Sequence, residues 1–433
     1  HTGSDHARAL FRSERTCGPT VPSFREGLGR WRLRPGDYRL MTDSKTAYLG
    51  EEVERMEERG ETWTLRQLET ASKPDPVVEG KDVIMLASNN YLDLANDDRL
   101  REAAVDAIER FGVGAGSDWS IAGYTELQDE LHDAIAEFKG TEGGLSYQTG
   151  FAVNAGLLPQ LLDEGDVYVS DEYNHGSIID GIRLSPADSL VYEHSDMSDL
   201  ERVLRSARSE YDRIIVVTDG VFSMDGDVAK LDEIHRLAEE YRAMTYVDDC
   251  HGEGVLGDGH GITGEFGLED EIDFQMGSFS KACGGFGGML AGDRHVVDFA
   301  YNTSRTWLLS AGYPPAVAAA NKRALEIIDE EPGRVRDLWR KREYFQSELV
   351  DLGFDTGESE TPIIPVMIGD SNTAKAFAER LFEHGVFALS IVYPMVPRGE
   401  ARIRNQINVG LSEADLNEAL RVYEKVGREL DII

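Results

Sequence analysis

The chain has 433 residues, of which 41% are hydrophobic and 9% aromatic. That composition excludes a disordered or fibrous protein, and the length favours two or three domains. No run approaches the ~20 consecutive apolar residues of a membrane span. No basic and apolar signal segment opens the chain, and 3 widely spaced cysteines exclude a disulfide framework. We therefore expect a cytoplasmic protein.

The charge is strongly acidic, with 44 basic residues against 80 acidic residues and a net charge of −36. Only 10 of the basic residues are lysines. A surface of this kind repels nucleic acid and anionic membranes. Acidic excess, scarce lysine and ordinary hydrophobic content together indicate a halophilic protein, in which counterions screen self-repulsion. The alternative is an acidic protein of ordinary cytosol.

Residues 1–40 differ from the rest, because they hold 8 arginines, no lysine and 4 acids. They also contain three prolines and lack strong hydrophobic periodicity. We hypothesise that this basic extension is not part of the fold. The alternative is a basic targeting or regulatory arm.

Hydrophobic periodicity predicts an amphipathic helix over 45–70. A short strand at 81–86 comes next, and helices over 97–111 and about 124–139 flank a glycine-rich turn at 112–116. From there strands and helices alternate. The predicted strands lie at 144–148, 167–170, 213–218, 244–247, 363–368 and 402–409, and the predicted helices at 150–162, 175–184, 229–242, within 314–352, and at 371–385 and 413–429.

Such alternation predicts an α/β fold with a mainly parallel sheet, helices on both of its faces, and a smaller C-terminal α/β domain. We expect an N-terminal helix and arm at 41–95, a large domain at 96–312 and a small domain at 313–433. No internal repeat or low-complexity tract is present.

Two segments carry reactive side chains. Lys281 lies among small residues, where a desolvated amine can form a Schiff base, although an exposed loop lysine is the simpler interpretation. Asp248 and His251 follow an apolar strand, and ligands of doubly wound sheets bind at such carboxyl ends. An acidic strand end that caps the next helix is the alternative there.

Three weaker candidates complete the set. Gly150 and Phe151 begin a predicted helix, where free backbone N–H groups suit a phosphate. His175 can stack on a flat ring, although a single histidine is more often structural. Arg402 and Arg404 can bind a carboxylate at two points, or they can be surface arginines that balance nearby acids.

Taken in order, these segments resemble the pyridoxal-phosphate (PLP) dependent α-oxoamine synthases, from about residue 52 to 430. This family includes glycine C-acetyltransferase, 8-amino-7-oxononanoate synthase, 5-aminolevulinate synthase and serine palmitoyltransferase. The resemblance rests on the motifs at 88–92, 147–154, 174–177, 219–226, 247–257, 278–282 and 399–406. It implies a PLP-dependent transferase of fold type I that works as a homodimer.

The resemblance also implies roles for single residues. Lys281 would bind PLP covalently and act as the base at the substrate Cα. Asp248 would pair with the pyridinium nitrogen, and His175 would stack on the ring. The other implied ligands are His251 and Ser223 for the phenolic oxygen, Gly150, Phe151 and Ser278 for the phosphate, Ser310 for the partner's phosphate, and Asn89 and Arg404 for the amino-acid carboxylate.

The resemblance further implies condensation of an amino acid with an acyl-CoA, releasing CoA. The motif at 247–257 looks most like prokaryotic glycine C-acetyltransferases, so glycine and acetyl-CoA are the expected substrates. The alternative is 8-amino-7-oxononanoate synthase, which uses alanine and pimeloyl-CoA; an aldolase or aminotransferase of the same fold type is a more distant one. The chain departs from the family pattern at Asp118–Trp119, Gln128, Asp93 and Asn408–Leu411. The resemblance places the first two near the acyl-CoA and substrate, so a different acyl donor or amino acid is a further alternative.

Overall fold

The computed structural model describes residues 45–59, 61–63 and 65–433. The chain divides into two units, one ending at Thr62 and the other spanning Trp63–Ile433. The predictions for residues 1–40 lie outside the described residues. In the first unit, helix α1 spans Ala47–Glu58 and has no buried residue. The helix predicted over 45–70 is therefore wrong beyond this point, because Gly60 and Thr62 disfavour helix after Arg59.

The second unit contains the remaining elements. Its helices are α2 Asp98–Phe111, α3 Glu126–Lys139, α4 Gly150–Leu161, α5 Gly176–Arg183, α6 Met197–Glu210, α7 Leu231–Tyr241, α8 Gly261–Phe266, α9 Arg294–Thr303, α10 Arg305–Leu308, α11 Pro315–Glu330, α12 Pro332–Leu352, α13 Ser371–Glu383 and α14 Glu413–Glu429. Its strands are β1 Val77–Val78, β2 Lys81–Asp82, β3 Ile84–Met85, β4 Gly143–Tyr147, β5 Val167–Asp171, β6 Asp188–Tyr192, β7 Ile214–Asp219, β8 Met244–Asp248, β9 Phe274–Ser278, β10 Gly288–Gly292, β11 Ile363–Gly369, β12 Val386–Phe387, β13 Leu389–Ile391 and β14 Ala401–Gln406.

A seven-stranded sheet forms the centre of this unit, in the order β4-β10-β9-β8-β7-β5-β6. Strands β6, β5, β7, β8 and β9 run parallel to one another, whereas β10 is antiparallel to both β9 and β4. Every residue of β7 is buried, as its unbroken run of apolar residues predicts for a central parallel strand. The predicted α/β fold with a mainly parallel sheet is confirmed.

Strands β9 and β10 were not predicted, because glycines interrupt their apolar pattern. The glycines are needed for close packing. A Cβ on Gly288 would lie 2.8 Å from the backbone nitrogen of Gly150, and one on Gly277 would lie 1.8 Å from Oε1 of Glu253. The absent side chains thus let the sheet approach the start of α4 and a buried carboxylate directly.

Residues 81–86 form two short strands rather than the one predicted strand. β2 pairs with β1 in an antiparallel hairpin, whereas β3 pairs in parallel with β12 from the C-terminal part of the chain. The pairing partner therefore changes between β2 and β3, which makes them two strands in different sheets. Farther along, β11, β14 and β13 form a three-stranded antiparallel sheet, so the predicted strand at 402–409 ends earlier, at Gln406.

The helix boundaries follow from local capping chemistry. Helix α2 begins after Asp97, whose carboxylate accepts the Arg99 backbone N–H at 2.9 Å, and it ends at Gly112 with a φ of 82°. Helix α14 begins at a capping box in which Ser412 and Asp415 bond each other's backbone N–H groups. Among the described residues, no helix is both long and apolar enough to cross a membrane.

The net charge of −36 predicts that stability depends on salt. At about 0.1 M salt the screening length is roughly 10 Å, and at 1 M it falls to roughly 3 Å, so repulsion between surface carboxylates weakens. We expect the urea midpoint to rise as KCl increases from about 0.1 M to about 1 M, measured by circular dichroism. A midpoint that does not rise across this range would contradict the prediction.

Candidate active site

A cavity of about 340 Å³ lies where β7, β8 and β9 end, and it is large enough for a small organic ligand. Its wall contains every residue to which the family resemblance gives a site role, except Ser310. Those residues are Asn89, Gly150, Phe151, His175, Ser223, Asp248, His251, Ser278, Lys281 and Arg404. The fold therefore brings together side chains that are up to 315 positions apart in the sequence.

Asp248 is the last residue of β8 and is buried in the cavity wall. Its Oδ2 accepts a hydrogen bond from the Asn154 amide at 2.7 Å, and its Oδ1 accepts the Cys250 backbone N–H at 3.1 Å. Tyr246 in turn donates to Oδ1 of Asn154 at 2.7 Å, which fixes the amide orientation. Asn154 lies in a motif that carried the family resemblance, but sequence alone gave it no role.

Asp219 ends β7 and is the strand-register partner of Asp248. Its carboxylate accepts the His175 backbone N–H at 2.7 Å, so it positions the histidine above the sheet edge. Burial, and then the neighbouring Asp248 carboxylate, raise the pKa of Asp219 well above its usual range. A role for Asp219 is not predictable from the sequence, because only the register of two parallel strands places the two carboxylates side by side.

The two predicted histidines are held differently. The Nδ1 of His175 lies 2.7 Å from the Ser177 hydroxyl at the start of α5. The Nδ1 of His251 lies 2.8 Å from the Tyr91 hydroxyl. Burial, followed by the positive charges of Lys281 and Arg404, lowers the pKa of His251 well below its usual value, so this ring is neutral at neutral pH.

The first turn of α4 offers backbone N–H groups to the cavity. Thr149 caps the helix by accepting the Ala152 N–H at 3.0 Å. The N–H groups of Gly150 and Phe151 precede the helix ladder and have no acceptor within it. A Cβ on Gly150 would lie 3.3 Å from the Cys250 sulfur and 3.6 Å from the Ser278 Cβ. An anion here would meet helix N–H groups and the Ser278 hydroxyl together.

Arg404 is a buried residue of β14 that reaches the opposite side of the cavity. Its Nε donates to the Ser223 carbonyl at 2.6 Å, and its Nη1 donates to Oδ1 of Asn89 at 3.2 Å. Two anchoring bonds fix the plane of the guanidinium, which can then bind a carboxylate as a fork. The other arginine of the motif, Arg402, pairs instead with Asp225 and Glu400.

Lys281 lies in the loop after β9 and lines the same cavity. Among the described residues, its amine has no hydrogen bond or ion pair, and no second lysine lines the cavity wall. Its charge acts on the Asp219 carboxylate and on His251. Lys281 therefore lines the same cavity as the strand-end carboxylate of Asp248, and its role as the PLP lysine stays a prediction.

Ser310 does not join the cavity of this chain. It lies between α10 and α11, where its carbonyl accepts the Trp119 N–H at 3.4 Å. Because its implied contact is with a partner subunit, that role stays a prediction.

Two departures from the family pattern have structural roles away from the cavity. Trp119 is buried and stacks on Trp307 with ring centroids 5.4 Å apart. Gln128 completes the capping box of α3, where its Oε1 accepts the Thr125 backbone N–H at 2.7 Å. Neither residue lines the cavity. Trp119 also lines a separate cavity of about 460 Å³. The expected effect of these two residues on substrate contacts stays a prediction.

The family model "Aminotransferase class I and II" matches residues 81–422. The chain belongs to this family.

Curated relatives narrow the assignment. The chain is 48% identical over 387 residues to 8-amino-7-oxononanoate synthase of Thermoanaerobacter pseudethanolicus, covering 89% of this chain and 98% of the relative. It is 46% identical over 389 residues to the enzyme of the same name from Symbiobacterium thermophilum, covering 90% and 99%. A solved structure of S. paucimobilis serine palmitoyltransferase with a bound PLP–myriocin aldimine has a TM-score of 0.85 at 28% identity, covering 90% and 99%. The chain is thus a PLP-dependent α-oxoamine synthase of fold type I.

The residues present fit PLP. The buried Asp248 carboxylate has no cationic partner among the described residues, and it suits a pyridinium nitrogen. The N–H groups of Gly150 and Phe151 suit the phosphate, and Lys281 supplies the one lysine amine of the described cavity wall. The predicted cofactor is confirmed by the family and by the PLP-bound relatives.

Substrate preference needs a correction. The motif resemblance favoured glycine C-acetyltransferase, but the relatives reported above carry the name of the alternative, 8-amino-7-oxononanoate synthase. The motifs concerned lie close to PLP, and that chemistry is shared across the α-oxoamine synthases.

We expect Lys281→Ala to abolish covalent attachment of PLP, because no second lysine lines the described cavity wall. Borohydride reduction followed by intact-protein mass spectrometry measures the attachment. The matched control is Lys322→Ala, which removes a surface amine paired with Glu130 at 2.6 Å. A PLP adduct retained by Lys281→Ala would contradict the assignment, whereas Lys322→Ala should be labelled like the wild type.

We expect Arg404→Lys to raise KM for the amino acid by roughly ten- to a hundredfold, because it removes a charge-assisted fork. KM for the acyl-CoA should change little. Steady-state kinetics with each substrate varied in turn separate the two effects. Arg402→Lys is the comparison variant, since its partners are Asp225 and Glu400. Equal effects of both substitutions on amino-acid KM would refute the role of Arg404.

Proposed function

We propose that this enzyme is an 8-amino-7-oxononanoate synthase, which condenses alanine with pimeloyl-CoA and releases CoA and CO2. The observation that carries the proposal is the identity to curated enzymes of that name. Seven such relatives are 42–48% identical over 88–90% of the chain. The matched length of 88–90% of the chain extends well beyond the segments that form the cavity wall.

The arrangement of the cavity supports an amino acid as the first substrate. Arg404 and Asn89, which are hydrogen-bonded to each other, would hold the carboxylate, and Lys281 and Asp248 line the same cavity. A fork on the carboxylate leaves the Cα as the part of the substrate directed toward the lysine. This orientation selects which Cα bond reacts.

Proton transfer is assigned to Lys281. Bound PLP supplies the electron sink that stabilises negative charge at the Cα. The Lys281 Nζ removes the Cα proton, and Asp248 keeps the pyridinium nitrogen protonated. His251 is neutral and bonded to Tyr91, so it binds an oxygen as a hydrogen-bond partner without adding a positive charge.

Carbon–carbon bond formation at the thioester carbonyl then expels the CoA thiolate. The amino-acid carboxylate leaves as CO2, and a proton takes its place at the Cα. Until that bond breaks, Arg404 and Asn89 restrain the carboxylate.

We also propose that the enzyme is a homodimer in which Ser310 contacts the phosphate of the partner's PLP. The proposal follows the family resemblance and leaves Ser310 outside the cavity of its own chain, as observed.

The test measures thiol release in the presence of PLP. We expect kcat/KM for pimeloyl-CoA with alanine to exceed that for acetyl-CoA with glycine by at least roughly a hundredfold, because several methylenes are bound. Carbon dioxide should appear in equal amount to free CoA. Each assay is repeated with Lys281→Ala to subtract background thioester hydrolysis.

A preference for acetyl-CoA with glycine, with no CO2, would overturn the proposal and make the enzyme a glycine C-acetyltransferase. Transamination or retro-aldol cleavage without thiol release would exclude both condensations.

A further inference from the structure

A cluster of three charged side chains, separate from those of the cavity wall, is buried inside the protein. Lys139, Asp249 and Glu253 have side chains that are each 1% exposed. The Lys139 Nζ lies 3.4 Å from Oδ2 of Asp249 and 3.4 Å from Oε1 of Glu253, and it also donates to the His260 carbonyl at 3.3 Å. None of these three side chains lines the cavity.

Burying these three charged side chains costs desolvation free energy, so their presence needs a physical reason. Two carboxylates and one ammonium leave an excess negative charge in a site without water access. Burial raises the pKa of Asp249 to about 6 and that of Glu253 to about 7, although Lys139 lowers both. In the described part of the chain, Oδ1 of Asp249 accepts no hydrogen bond.

Glycine backbones pack directly on the two carboxylates. A Cβ on Gly261 would lie 1.9 Å from Oδ2 of Asp249, and one on Gly277 would lie 1.8 Å from Oε1 of Glu253. Both contacts are closer than any real Cβ can make. The fold has therefore placed two glycines where the carboxylates need room, which indicates a built cluster rather than a tolerated one.

Glu253 connects the cluster to the active site. Its Oε2 accepts the backbone N–H of Ser278 at 2.9 Å, at the last residue of β9. The Ser278 hydroxyl then accepts the Ser280 N–H at 3.2 Å and donates to the Gly287 carbonyl at 3.1 Å. Lys281 is the next residue after Ser280, so one carboxylate fixes the backbone from which the phosphate and Schiff-base ligands project.

Asp249, which follows β8, also connects the cluster to the active site. Its backbone N–H donates to the Met276 carbonyl at 2.8 Å, and its Oδ2 accepts the Ile262 N–H at 2.8 Å. Asp248 immediately precedes it. Lys139, the last residue of α3, thus holds the two loops that leave β8 and β9 at a fixed separation.

We propose that Glu253 is a positioning residue for PLP, held in place by Lys139 and Asp249. It sets the backbone of Ser278 and, through it, the position of Lys281. Glu253 touches neither substrate nor cofactor, and its effect is on how well the cofactor's ligands are aligned.

The test measures PLP affinity rather than turnover. Glu253→Leu removes the acceptor for the Ser278 N–H. It should raise the PLP dissociation constant by roughly ten- to a hundredfold and shift the absorption maximum of the bound cofactor. Glu253→Gln keeps an acceptor oxygen and should stay closer to wild type. Equilibrium dialysis gives the constant, and circular dichroism establishes that each variant is folded.

A charge-balanced double variant separates positioning from general destabilisation. Lys139→Met should weaken PLP binding, because it leaves two unpaired carboxylates under the loops. Lys139→Met combined with Glu253→Gln removes one charge of each sign, and it should recover most of the affinity. Lys322→Met is the control, since its pair with Glu130 is partly exposed and lies outside the cluster.

A folded Glu253→Leu enzyme with wild-type PLP affinity and absorption would overturn the proposal. If Glu253→Leu does not fold, the Lys139 variants decide. A double variant that binds PLP no better than Lys139→Met alone would then overturn it, and recovery would support it.

Discussion

Burial of two carboxylates side by side at the ends of β7 and β8 is the constraint on which this site depends. Asp219 and Asp248 are register partners, and their mutual repulsion adds to the cost of burial. The Asn154 amide and the His175 N–H offset part of that cost. A pyridinium nitrogen beside Asp248 would offset more of it, so PLP binding and folding stability are linked: the cofactor stabilises the state that carries these charges.

The same constraint explains why the ends of the strands are rich in glycine. Backbone N–H groups are the remaining donors that can approach an anion closely without adding charge. Gly150 begins α4 beside Ser278. A Cβ on Gly288 would lie only 2.8 Å from the Gly150 nitrogen, so the glycine allows β10 to pack closely against the start of α4. Around Glu253, Gly277 does the same. Glycine here is selected by distance rather than by turn geometry, and only at Gly261 is a positive φ of 87° also involved.

Motifs in the sequence were sufficient to predict the fold class and ten of the eleven proposed site residues as one cavity. A long apolar run such as β7 is recognisable as a strand from its own sequence. Strands β9 and β10 are not, because their glycines are required by contacts with residues distant in sequence. Trp119 and Gln128 were conspicuous in the sequence as departures from a family pattern, but their local roles were not predictable from it. Trp119 packs on Trp307, and Gln128 caps α3. Lys139 gave no local signal at all, since its partners are more than a hundred positions away.

The substrate could not be predicted in the same way, for a physical reason. Residues that touch PLP are constrained by the electron sink, the phosphate and the proton transfer, which are common to all α-oxoamine synthases. A motif built from Asp248, His251 and Lys281 therefore identifies the chemistry and is silent about the acyl chain. The preferred acyl length depends on packing around the thioester. Many residues contribute to that packing, and no single one of them forms a recognisable motif. The match to the relatives extends over about nine tenths of the chain at 46–48% identity, so it covers more of the protein than the motifs beside the cavity do.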